Sequence, residues 1–256
     1  MTARQGSLRV VGLGPGAPEW VTPEAAASLA AATDIVGYAP YVARLALRVG
    51  QHVHASGNRV ELERARLALR LAHEGAHVAV VSGGDPGVFA MAAAVFEAIE
   101  HGEPGWRALD VEVLPGVSAM QAAAARAGAP LGHDFCAISL SDNLKPWALI
   151  ERRLRLAAEA DFVIALYNPA SRARPRLIHE AFALLRAGKA GTTPVVLARA
   201  VGRDDERLEI ATLADADVGQ IDMRTLVIVG SSETRLLPRD GCAPWVYTPR
   251  AYGGER

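Results

Sequence analysis

The chain has little cysteine, no long apolar run and no surplus of charge of either sign. Its two cysteines, Cys136 and Cys242, stand alone in 256 residues without metal-ligand spacing, so neither a disulfide framework nor a zinc site is indicated, and a reducing cytoplasm is expected. Lysine plus arginine number 27 against 28 acidic residues, which removes any global electrostatic reason for a nucleic-acid or anionic-membrane partner. No apolar stretch approaches the roughly 18 residues that span a bilayer. Residues 1–7 lead straight into a strand, with no apolar signal core or cleavage site. Repeats of 20 to 50 residues and low-complexity tracts are also missing.

Half of the residues are hydrophobic, enough for one large α/β unit or two smaller ones. Strand-like runs at 8–13, 35–37, 52–54, 76–81 and 109–114 alternate with helical stretches in βαβ rhythm. Helices are expected at 23–32, up to about 49, at 60–73, from Pro86 onward, and after Gly116-Val117-Ser118. The Gly/Pro-punctuated segment 127–134 is the candidate connection, giving an N-terminal domain over 1–130 and a C-terminal domain over 131–256. A second series of strands follows at 135–140, 162–167, 194–199, 207–211 and 225–229. Its last connections are too short for parallel crossovers, so this second sheet should be mixed, whereas the first should be mostly parallel.

Three strand ends in the first series carry glycine. Gly12-Leu13-Gly14-Pro15-Gly16-Ala17 formally satisfies the dinucleotide pattern. Pro15 and Pro18 stiffen it, its helix starts only at Thr22-Pro23, and no acidic residue ends the next strand. A dinucleotide site, a plain tight turn and close approach to another adenosine-type ligand all stay open. Ser82-Gly83-Gly84-Asp85-Pro86 joins an apolar strand to a helix, and Asp85 could cap that helix or meet a ligand. Pro115-Gly116-Val117-Ser118-Ala119 repeats the theme, with Ser118 as cap or ligand contact. Ligands of open α/β sheets collect beyond the carboxyl ends of strands, so these turns should converge.

Other chemistry-bearing residues read more plainly. His52-x-His54 lies on one side of a strand without a third metal ligand, which favours packing or surface. There is no G-x-S-x-G and no Cys/His nucleophile arrangement.

Together, Val11 to Gly16, Ser82 to Pro86, Pro115 to Ala119, Tyr167-Asn168-Pro169 and Thr225 to Gly230 resemble the tetrapyrrole methylases, S-adenosylmethionine-dependent enzymes of corrin and sirohaem synthesis. Gly37-Tyr38, Gly87 to Met91, Ile138 to Asp142 with Pro146-Trp147, and Leu166 to Arg172 are most similar to the branch acting on C-17 of precorrin-3B; Asn143-Leu144-Lys145 departs from its more apolar stretch. The resemblance implies two α/β domains with the methyl donor in a cleft between them, a homodimer, and no protein-bound metal. It implies donor contacts at Pro15, Gly83, Gly84, Asp85, Val88, Ser118, Ala119, Tyr167, Ala200 and Thr225. The branch's ring contraction needs proton movement, for which His133 and Asp142 are candidates beside the bland readings of loop residue and turn former. Substrate carboxylates would want guanidinium partners, and Arg172, Arg174 and Arg176 could supply them, although an ordinary solvated surface is the competing reading.

Overall fold

A computed structural model describes residues 6–170 and 174–253. The chain divides into two compact units, Met1–Ala119 and Met120–Arg256.

The first unit is built on β1 (Ser7–Gly12), β2 (Asp34–Tyr38), β3 (His52–Ser56), β4 (His77–Ser82) and β5 (Asp110–Leu114), with helices α1 (Pro23–Ala31), α2 (Ala39–Val42), α3 (Glu61–His73) and α4 (Met91–His101). Its sheet has the order β3-β2-β4-β1-β5, and every pairing is parallel. Adjacent strand residues point to opposite faces, and both faces of the inner strands β2 and β4 are covered, which is why those two read as apolar runs rather than alternating ones. Val10, Val78 and Val80 face a cluster with Leu69, Val95 and Trp106, while Val11, Ala79 and Val81 face another with Leu13, Ala25, Ile35 and Val42. Helix α1 starts as its sequence requires: Thr22 Oγ1 accepts from Ala25 N at 3.1 Å and Pro23 takes the first helical position.

Two expected helices are corrected. The one opened at Pro86 begins only at Met91, capped by Ala90 without a side-chain bond. Residues 86–90 form a turn instead, closed by Ala92 N–H to the Pro86 carbonyl at 2.9 Å, with Phe89 at φ +52. The helix expected to reach Val49 is the four residues of α2, because Arg44 and Leu45 close turns onto Tyr41 and Val42 rather than continuing the helical ladder.

The second unit contains α5 (Ala119–Ala127, from its second residue), β6 (Gly128–Ala129), β7 (Phe135–Ser139), α6 (Trp147–Glu159), β8 (Val163–Tyr167), α7 (Leu177–Gly188), β9 (Pro194–Arg199), β10 (Arg207–Thr212), β11 (Thr225–Val229), β12 (Arg235–Arg239) and β13 (Cys242–Tyr247). Its main sheet is mixed, in the order β10-β9-β11-β8-β7: β7 and β8 are parallel, the other pairs antiparallel. Ile164, Leu166, Val195, Leu197, Val227 and Val229 bury one face against Leu154, Phe182 and Leu185 of α6 and α7. A small third sheet, β12-β13-β6, was not expected. Strand β12 is exposed throughout and Pro238 sits at its bulge, so neither alternation nor an unbroken apolar run announced it. Pairing of Gly128 and Ala129 with Val246 and Tyr247 brings the segment read as a connection into this unit, whose start lies at residue 120 rather than 131.

One carboxylate fastens the lower end of this unit. Asp161 follows α6 in the left-handed region, φ +54, and accepts from Lys189 Nζ at 3.0 Å, Ser232 N at 3.0 Å, Ser232 Oγ at 2.6 Å and Tyr252 OH at 2.6 Å. Burial pushes its pKa up, but the bonds from Ser232, Tyr252 and Lys189 outweigh it and hold the group at about 2. A depressed carboxyl stabilises the fold above the unfolded value of 3.8 and ceases to do so as pH falls toward 2. Asp161→Asn should therefore lower stability at pH 7 by about 2–3 kcal/mol, leaving the nearly buried Lys189 ammonium without its anion. Urea unfolding from pH 7 to pH 2 should find the difference from the parent shrinking with acid; a difference that stays constant would contradict this account.

Candidate functional site

Strands β4, β1 and β5 are neighbours, so the three glycine-bearing turns that follow them are neighbours too. The chain leaves β1 toward β2 on one side and leaves β4 toward β5 on the other, which makes the space beyond β1 and β4 the switch point of the sheet. There the turns meet main chain to main chain. Gly14 N–H donates to the Gly84 carbonyl at 3.2 Å and Gly84 N–H to the Gly14 carbonyl at 2.9 Å. Asp85 joins the second and third turns: one oxygen accepts from Gly87 N at 2.8 Å, the other from Gly116 N at 3.1 Å. Asp85 caps no helix, since α4 starts six residues later.

Each glycine has its own reason. A Cβ on Gly12 would lie 2.8 Å from Gly116 Cα, and one on Gly116 would lie 2.5 Å from the Gly84 carbonyl oxygen. At Gly83 it would strike the Tyr41 ring at 2.7 Å, a ring itself held edge-on to Tyr38 with centroids 5.3 Å apart. Gly84 has room, with nothing nearer than 3.8 Å, but requires φ +71. The glycines thus let the turns fuse with one another. Pro15 and Val88 are half-buried beside them, Ser118 is buried, and Ala119 opens α5.

Arg44 is a member that sequence reading missed. Its guanidinium donates to the carbonyls of Leu13 at 3.2 Å, Gly14 at 3.4 Å and Gly16 at 3.0 Å, holding the first turn from outside. An arginine-rich chain carries no signal that singles it out.

In the second unit, pairing register settles which residues share an end of the sheet. Ser139 pairs with Tyr167, and Thr225 with Arg199, next to Ala200. Tyr167, Ala200 and Thr225 therefore lie at one end, together with Ser141, Asp142, Asn168 and Arg174. Tyr167 OH accepts from Met120 N at 3.1 Å. Ala200 is buried at φ +52, and its N–H bonds the Arg224 carbonyl at 2.9 Å. Thr225 Oγ1 donates to Asp222 at 2.9 Å, and Asp222 also accepts from Arg199 Nε at 2.9 Å. Exposed Asp205 is held at about 2 by hydrogen bonds from Arg224 and Arg199.

His133 and Asp142 are not brought together. They flank β7 at opposite ends. His133 Nε2 meets Ser231 Oγ at 2.8 Å and its ring tilts against Tyr252, whereas Asp142 forms an ion pair with Arg174 at 3.0 Å. Arg174 also donates to Ser141 Oγ at 2.8 Å. Arg176 precedes α7 with an exposed side chain 3.9 Å from Glu180, and Arg172 lies outside the described residues. His54 Nε2 is 2.8 Å from Asp34, so it packs as a bonded strand residue. Among the described residues no group of three or more His, Cys, Asp or Glu could hold a metal, and no helix is long and apolar enough to cross a membrane.

A Gly-rich switch point with no α-helix N-terminus directly behind its first two turns suits a ligand without phosphate, and three strand ends of this kind define a class. The chain belongs to the Tetrapyrrole (Corrin/Porphyrin) Methylases, whose family profile matches residues 7–217. It is 59% identical over 249 residues to a precorrin-3B C(17)-methyltransferase of Sinorhizobium sp., covering 97% of this chain and 98% of that one. It superimposes on the crystal structure of the methyltransferase CobJ with a TM-score of 0.90 and 52% identity, over 95% of this chain and 100% of that one. A uroporphyrin-III C-methyl transferase from Thermus thermophilus, solved in complex with S-adenyl homocysteine, matches with a TM-score of 0.68 and 28% identity, over 88% of this chain and 97% of that one.

Turn fusion makes a graded stability prediction. Gly116→Ala should cost about 3 kcal/mol, because backbone must move against backbone. Gly84→Ala should cost about 1 kcal/mol, from left-handed strain alone. Chemical denaturation of the two variants measures the gap, and equal losses would mean that the turns do not pack as described.

Proposed function

We propose that this chain is an S-adenosylmethionine-dependent methyltransferase that methylates C-17 of precorrin-3B, or of its cobalt form, with ring contraction to precorrin-4 in cobalamin biosynthesis. The observation that carries this reading is the 59% identity to the Sinorhizobium enzyme over 97% of this chain, a span too long to be confined to either unit. The bound S-adenyl homocysteine of the Thermus relative supports the choice of donor. Two free cysteines suit a reducing cytoplasm, and the family resemblance supports a homodimer.

The donor supplies an already activated methyl group on a sulfonium, so the protein's part is alignment and exclusion of water. Pro15, Gly83, Gly84, Val88, Ser118 and Ala119 are proposed contacts from the first unit, and Tyr167, Ala200 and Thr225 from the second. Asp85 belongs with them as the group that sets the turns, since both carboxylate oxygens already serve main-chain N–H groups. The donor fits these turns as a phosphate-free ligand: α1 starts at Pro23 and α4 at Met91, well beyond Gly16 and Gly84, so neither helix dipole is aimed at a pyrophosphate. Of the two proton-transfer candidates, Asp142 shares its sheet end with Tyr167, stands 3.0 Å from Arg174 and is retained. Arg176, and Arg172 outside the described residues, are proposed partners for substrate carboxylates.

Calorimetry should detect binding of S-adenosylmethionine and none of NADH; the reverse would defeat the reading. Incubation with donor and precorrin-3B, metal-free or cobalt-loaded, should add one methyl mass to one of the two, and addition to neither would remove the C-17 assignment.

A further inference from the structure

Among the described residues Arg64, in the first turn of α3, is the one buried arginine, 4% exposed, and none of their carboxylates pairs with it. Its Nε donates to Ser56 Oγ at 2.9 Å, one terminal nitrogen to the Gly57 carbonyl at 2.6 Å, and the other faces Met91 Sδ at 3.3 Å. Those acceptors are neutral, and thioether sulfur is a weak one. Glu61, Tyr38 and Tyr41 act on it only through space, while burial pushes its pKa down. No carboxylate of the described residues forms an ion pair with it within 4.0 Å.

A desolvated guanidinium without a counter-ion is costly and persists where something gives it a use. Its place says what that use is. Ser56 ends β3, Tyr38 ends β2 and Met91 begins α4, so Arg64 lies at the carboxyl end of the parallel sheet, the end where ligands bind. The segment above it is exposed from Gly57 to Arg59, and a Cβ on Gly57 would meet nothing within 4 Å. That loop has room to move outward, exchanging the Gly57 carbonyl on the guanidinium for an incoming anion.

We propose that Arg64 is a carboxylate-receiving residue: a carboxylate of a bound ligand closes on its terminal N–H groups in place of the Gly57 carbonyl. This rests on the function proposed above, which offers two sources of that group, the acid side chains of the tetrapyrrole and the α-carboxylate of the methyl donor. Charge-assisted bonds of this kind change affinity by roughly ten- to a hundredfold.

The test compares the full-length parent with Arg64→Met and Arg64→Lys, using uroporphyrin III as the tetrapyrrole probe and S-adenosylhomocysteine as the donor probe. Tryptophan fluorescence quenching and calorimetry read the two affinities, and a thermal melt monitors the fold. The expected result is a loss of about ten- to a hundredfold in R64M for one probe with the other unchanged, and a smaller loss for the same probe in R64K, which keeps the charge without the fork. Loss confined to uroporphyrin assigns the tetrapyrrole as the source; loss confined to S-adenosylhomocysteine assigns the donor. Unchanged affinity for both probes overturns the proposal, as does an equal loss of both. If R64M melts too early to be measured, R64K decides by the same criteria. A parent protein that binds neither probe overturns the proposed function, whereas a parent that binds both, with variants that match it, overturns only this inference.

Discussion

Everything in the first unit converges on the contact of three main-chain turns with one another. Gly14 and Gly84 exchange both of their N–H···O bonds, and Asp85 spans from its own turn to Gly116. Such contact is possible only because Gly12 and Gly116 present bare Cα atoms, and it is durable because every polar group used is paired inside the cluster. Arg44 then ties off the carbonyls that point outward from the first turn. A surface assembled this way is stiff, and stiffness is what a reaction governed by alignment needs.

The second unit reaches a comparable order by different means. Its strand ends carry side-chain bonds rather than fused backbone: Thr225 to Asp222, Asp222 to Arg199, and Asp205 to both Arg199 and Arg224. Inside that frame Ala200 keeps a left-handed backbone that an alanine adopts at some cost, and strained residues of this sort are held only where their surroundings dictate them. The opposite end of the same sheet is fastened by the bonds of His133, Ser231 and Asp161. One mixed sheet thus has a fastened end and an end bearing Tyr167, Ala200 and Thr225.

Legibility followed burial. Strands β9 and β11 were bounded correctly from sequence, because each is an apolar run covered on both faces and flanked by turn residues. The hairpin of β12 and β13 left no trace, since its residues are largely exposed and interrupted by Pro238 and Pro244. Pro86 was a misleading helix signal: its fixed φ suits a first helical turn and also suits the turn that delays α4 to Met91. Among site residues, the glycine turns were visible as motifs, while Arg44, Tyr41 and Arg64 were not, because a lone arginine or tyrosine in an α/β chain acquires a role only from what it is folded against.

The amino-acid sequence by itself determined the two series of strands, the parallel first sheet and mixed second one, and the turns at which chemistry gathers, because those depend on local apolar patterning, connection length and glycine placement. Tertiary structure alone decided why each glycine is a glycine, that Asp85 links turns instead of capping a helix, that His133 and Asp142 stand at opposite ends of one strand, and that Arg64 is buried without an anion. Those are statements about groups far apart in the chain, and their distances are set by strand order and register, which no local pattern encodes.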